Sequence, residues 1–309
     1  MLPVTPTHAS SVLAVALAAA GAVFFGLAAV RQHDAVRAIA GPARSSLRQQ
    51  VGAGLRLVRQ PAWLLGGLQA GLGGGLHVIA LTLAPITLVQ PVGVLAVPVT
   101  VVVSALARHR RPGPVQVVGT MLTVVGVAAL TVVLLLPASQ PATLPSWPVL
   151  ATATGTVLVG AGGVALLLGR TAAVLRCVSR ALVAAVLFGL VSVLVRTLGE
   201  VVATAPDPST ALVLTALCGI GLALPLGGSA VQSAYLFGPP QVVICCLTVV
   251  DPLAAVVGGR VLLQDGATIT GGILAAALGC GLVTVAGIVL LARGYPLGPA
   301  SPASGDGGV

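Results

Sequence analysis

The run VVICCLTVVDPLAAVVGGRVLL, residues 242–263, is almost wholly apolar, yet Asp251 stands in its middle, directly before Pro252. The chain has only six acidic residues among 309. A carboxylate held at bilayer depth costs several kcal/mol, and one that is kept there usually marks an ion or proton pathway. A second role competes. Asp followed by Pro reads as an N-cap followed by N1, which would let Asp251 cap a half-helix starting at Pro252. The two roles are compatible.

Other polar side chains interrupt apolar runs. His77 lies beside Gly73, Gly74 and Gly75, where it would line a cavity, shuttle protons, or simply pack between helices. Gln90 and Gln232 sit in spans of opposite halves, as substrate hydrogen-bonding groups or as glue between helices. Tyr235 and Trp63 suit either ligand contact or an anchor at the membrane interface. We therefore take Asp251, His77, Gln90, Gln232 and Tyr235 as the candidate substrate-binding set. No catalytic residue, metal centre or cofactor is assigned. The five cysteines form no C-x-x-C pair and read as small apolar residues. GLGGGL lies inside a span and lacks the Gly-Lys-Ser/Thr ending of a phosphate loop, and Ser229 has no second membrane histidine to activate it. An intramembrane enzyme is disfavoured.

Positioning these groups falls to membrane helices. The chain is 57% hydrophobic and 7% charged, with mean hydropathy +1.11, so it cannot build the polar shell of a soluble domain. Its apolar runs are continuous and about 20 residues long, which suits helices and not barrel strands. Nine spans are predicted near 10–30, 62–83, 86–107, 115–136, 148–168, 181–199, 210–236, 241–262 and 268–292. The formal charge of +9 is carried by arginines between spans, where it sets topology rather than binding nucleic acid. With nine spans and the N-terminus outside, most arginines face the cytoplasm, Arg196 and Arg260 excepted. Arg196 and Glu200 are expected to pair at i,i+4.

The two halves repeat. At an offset of 154, Gly73-Gly74 matches Gly227-Gly228, Pro85 matches Pro239 and Pro98 matches Pro252. One residue drops out afterwards, and Gly119 and Gly126 then match Gly272 and Gly279. An odd number of spans separates equivalent helices, so the second copy would be inverted, the architecture of secondary transporters. The glycine pairs would allow close helix approach. Pro85 and Pro239 would close one span and open the turn to the next, while Pro98 and Pro252 would loosen or break the helices that hold them.

On the unit ALTLAPITLVQPVGVLAVPVTVVVSAL, on GTMLTVVGVAAL and on their second-half counterparts, the chain resembles the drug/metabolite transporter superfamily of EamA-like proteins. RQPAWLLGG, followed by Ala80-Leu81, Ala84-Pro85 and Pro91, is most similar to its NIPA-type group. That resemblance implies an all-α polytopic fold of about nine transmembrane helices with an inverted repeat. It also implies transport of a small metabolite, drug or cation, magnesium in the NIPA-type case.

The expected organisation is an extracytoplasmic N-terminus (1–9) and a first repeat of four spans (10–136) with an Arg-rich cytoplasmic loop at 31–60. A linker (137–147), a second repeat of five spans (148–292) and a disordered cytoplasmic tail (293–309) follow. The expected setting is a bacterial inner membrane. Expected partners are the lipid bilayer and a small-molecule or ionic substrate, with a homodimer as one option and no nucleic acid. A non-transporting membrane scaffold is the rival reading, and it would not require the repeat.

Overall fold

A computed structural model describes residues 8–39, 56–83, 89, 92–135, 143–168, 171–204, 209–263 and 271–293. The principal helices are α1 (His8–Ile39), α2 (Pro61–Leu83), α3 (Ala96–Leu106), α4 (Pro114–Leu135) and α5 (Trp147–Leu167). They continue with α6 (Ala173–Thr204), α7 (Thr210–Tyr235), α8 (Pro240–Leu263) and α9 (Gly271–Arg293). No strand occurs among the described residues. Seven of these helices, α1 and α4–α9, are long and apolar enough to cross a membrane. The described elements are all helical, and the chain is a multi-pass membrane protein.

The two remaining helices differ from the expected spans for separate reasons. α2 has 23 residues, about 34 Å at 1.5 Å each, but Gln69, His77 and its glycines dilute its hydropathy. α3 has only 11 residues. Most of the segment leading into it, with Pro85 and Gln90, lies outside the described residues. α1 and α6 have 32 residues each, well beyond the predicted 10–30 and 181–199. At about 48 Å they exceed the ~30 Å hydrocarbon core, so their ends stand in the polar zone. Arg31 and Arg37 accordingly ride on the last turns of α1 and not in a loop, because Arg, Gln and Ala propagate a helix and no Gly or Pro intervenes before Gly41.

Packing is pairwise and set by glycine. α1 lies along α2 and α3, α6 lies along α7 and α8, and α4 lies along α9. A Cβ on Gly21 would come 2.8 Å from the Gly73 carbonyl oxygen, so only glycine allows that approach. Along the third seam, Gly119 meets Gly287 and Leu291, and Gly126 meets Cys280 and Thr284. Position rises on one helix as it falls on the other, so α4 and α9 run antiparallel. Gly279, the sequence match of Gly126, has nothing within 4 Å of its would-be Cβ and takes no part in the seam.

One end of the bundle collects basic groups. Arg37 Nη1 donates to the Leu236 carbonyl (3.1 Å), and the guanidinium carbons of Arg176 and Arg180 lie 4.3 and 5.1 Å from the Phe237 ring centre. Arg108, in the turn after α3, also feels Asp34 and Arg37. At the other end of α6, Arg196 and Glu200 make the expected i,i+4 pair at 3.6 Å. Because Arg196 is half exposed, Arg196→Ala should cost no more than about 0.5 kcal/mol in a detergent melt. A loss several-fold larger would show that the pair organises more than its own helix turn.

Candidate functional site

A cavity of about 840 Å³ lies between the helices of the first half (α1, α2, α3, α4) and those of the second (α6, α7, α8). Four of the five candidate residues, His77, Gln232, Tyr235 and Asp251, line it together. They come from α2, α7 and α8, so the structure converges polar groups that the sequence holds up to 174 positions apart (251 − 77). The fifth, Gln90, lies outside the described residues.

Asp251 requires a correction. α8 runs unbroken from Pro240 to Leu263 with Pro252 inside it, so Asp251 sits within a helix and heads no half-helix. The first copy behaves differently. There the backbone tightens before α3, with Leu95 N–H bonding Val92 O (3.1 Å) and Val97 N–H bonding Val94 O (3.0 Å). Pro98 consequently falls in the first turn of α3, where a missing N–H costs nothing. Pro252 instead removes one bond from a continuous helix and leaves the Thr248 carbonyl without its usual i+4 donor. Pro225 does the same to Gly221 in α7, and both prolines line the cavity.

Asp251 has no hydrogen-bond or ion-pair partner among the described residues. Three hydroxyls of the cavity lining are committed to their own helices. Thr131 donates to Val127 O (2.8 Å), Ser229 to Leu226 O (2.8 Å) and Thr248 to Ile244 O (3.0 Å). With their hydrogens turned away, these oxygens offer only lone pairs to the cavity. They add acceptors to a lining that also holds the donor groups of Gln32, His77 and Tyr235.

Gln232 joins the halves. Trp63 Nε1 donates to Gln232 Oε1 (3.0 Å), and Gln232 Nε2 donates to Gln32 Oε1 (3.0 Å). Trp63 and Tyr235, each in a terminal turn of its helix, are both turned inward. Trp63 lines the cavity, and Tyr235 is buried edge-on to His33 with ring centres 5.9 Å apart. Of the paired glycines, Gly73 packs against Gly21 and Phe24, and Gly227 against Phe188. Gly228 lines the cavity with open space at its Cβ, and Gly74 reaches only the tip of Phe25, so the second glycine of each pair is not a close-approach position. Pro239 sits in the α7–α8 turn, where its carbonyl accepts the Val242 N–H (3.2 Å).

Among the lining residues that escaped the sequence reading are Gln32, Phe25 and Phe188. A signal existed for the aromatic pair. Phe25-Gly26-Leu27 recurs as Phe188-Gly189-Leu190. In both copies the glycine packs on the third helix of its half, Gly26 on Ala96 and Val99, and Gly189 on Asp251 and Ala254.

Among the described residues no group of three His, Cys, Asp or Glu side chains is placed to hold a metal ion. No curated protein and no solved structure matches the chain. Residues 9–154 match the family described as the magnesium transporter NIPA, so over that stretch, just under half of its length, the chain is similar to that family.

Proposed function

We propose that the protein is a secondary transporter of a bacterial inner membrane. Nine spans would form two inverted halves that rock about the cavity, exposing it to each side in turn. Its arginine-rich end would face the cytoplasm. The observation that carries this reading is the cavity itself, enclosed by helices of both halves and bridged across them by Gln232. Three further features support it. α6 with α7 and α8 repeats the packing of α1 with α2 and α3; the Phe-Gly-Leu triplet recurs; and α4 meets its counterpart α9 antiparallel, as a two-fold axis in the membrane plane requires. The match to NIPA favours a narrower second reading, in which the cargo is magnesium.

Purified protein in liposomes, offered Mg²⁺, monovalent metal ions, amino acids and organic cations under an imposed gradient, should move at least one of them saturably. Absence of protein-dependent flux for every class would favour the scaffold reading instead.

A further inference from the structure

The donor set of the cavity does not suit a small divalent ion. Mg²⁺ demands six oxygens at about 2.0–2.1 Å and usually takes one or two carboxylates together with retained waters. Among the described residues the cavity has one carboxylate, Asp251, and no cluster of three ligating side chains exists. A divalent ion on Asp251 alone would leave a net positive charge in a weakly polar space, which is costly. A monovalent cation leaves none.

The rest of the lining fits the body of such a cation. Phe25, Phe188 and Trp63 present aromatic surface, and aromatic faces attract cations most strongly where water is excluded. About 840 Å³ falls within the 300–1,000 Å³ typical of organic ligand sites and is far larger than a bare metal ion needs. The Ser229 and Thr248 hydroxyl oxygens, both from residues of the cavity lining, and the Thr248 carbonyl freed by Pro252 add acceptors of partial negative charge.

We propose that the ligand of this cavity is a monovalent organic cation with an apolar body, its charge met by Asp251 and its body by Phe25, Phe188 and Trp63. Binding itself does not depend on transport; only the claim that this ligand is carried rests on the transporter reading.

Trp63 supplies the readout. The chain has two tryptophans, so Trp147→Phe leaves Trp63 as the sole reporter inside the cavity. Titration with tetraphenylphosphonium in detergent should quench Trp63 saturably, and millimolar Mg²⁺ should not displace the probe. Asp251→Asn should weaken binding by about tenfold or more, the worth of one desolvated charge contact. Should Asp251→Asn fail to fold, the Mg²⁺ competition on the Asp251-bearing protein still decides. No saturable quenching, equal binding by Asp251→Asn, or competitive displacement by Mg²⁺ would each overturn the assignment. Flux separates the two readings. Asp251-dependent binding of the probe without its transport sinks the carrier and leaves the site, whereas Mg²⁺ flux without probe binding sinks the site and leaves the carrier.

Discussion

Gly287→Val should yield little folded protein. A Cβ at Gly287 would lie 2.6 Å from the Thr123 nitrogen and 2.7 Å from the Gly119 oxygen, both backbone atoms with nowhere to rotate. Across the same seam, a Cβ at Gly119 would lie 2.9 Å from the Gly287 oxygen. Valine can fit only if α4 and α9 separate. Overpacking a close-packed contact costs about 1–3 kcal/mol and more where backbones must part. In a membrane, contacts between small residues also carry much of the helix association itself. The expected reading is a sharply lowered melting temperature and aggregation on size-exclusion chromatography. Gly279→Val is the control, on the same helix with open space at its Cβ, and should behave as wild type. Equal behaviour of the two variants would show that the α4–α9 seam does not hold the bundle together.

That contrast also measures how far the sequence could be read. The existence of the membrane helices was legible, because a bilayer forces each to about 20 apolar residues and leaves little freedom. Their ends were not. Arg31 to Arg37 looks like a loop by polarity, yet those residues are good helix formers, and α1 continues through them to Ile39. The same misreading hid Gln32, which the structure places in the cavity. Asp251, His77, Gln232 and Tyr235 stood out because polar groups in apolar runs are expensive and therefore conspicuous. Phe25 and Phe188 gave no such contrast, since a phenylalanine in an apolar run is ordinary. Only the recurring Phe-Gly-Leu triplet marked them. The α4–α9 seam could not be read from the glycine matches, because a seam is defined by which faces meet: Gly126 meets Cys280 and Thr284, while its sequence match Gly279 lies open.

Gln232→Leu should open the arginine-rich end of the cavity. Gln232 accepts from Trp63 and donates to Gln32, so one side chain of the second half ties two helices of the first. It lies one turn before Leu236, whose carbonyl binds Arg37, which places the tie at the basic end. The equivalent positions at the opposite end cannot form such a tie. At the repeat offsets, Val78 stands for Gln232, Leu217 for Trp63 and Val195 for Gln32, all apolar and all exposed. A rocking carrier must break both bonds before the basic end can part, with no matching pair to break at the other. Interhelical hydrogen bonds in membrane proteins contribute about 0.6–1.7 kcal/mol each, so losing two shifts the balance by roughly 1–3 kcal/mol. That corresponds to about 5- to 150-fold in the population open at the basic end. Leucine nearly conserves the volume and removes both bonds at once, leaving the Trp63 Nε1–H and the Gln32 Oε1 without that partner in the closed state. Ser229→Cys, a near-isosteric replacement on the cavity wall, supplies the reporter once the less buried Cys218 and Cys280 are removed. In oriented vesicles, an impermeant thiol reagent added at the basic face should label this cysteine faster in the Gln232→Leu background and, from the opposite face, more slowly. Opposite changes at the two faces are the signature of one equilibrium with two exits. Faster labelling from both faces would mean that the substitution merely loosened the bundle, and unchanged labelling would mean that the Trp63–Gln232–Gln32 bridge closes nothing.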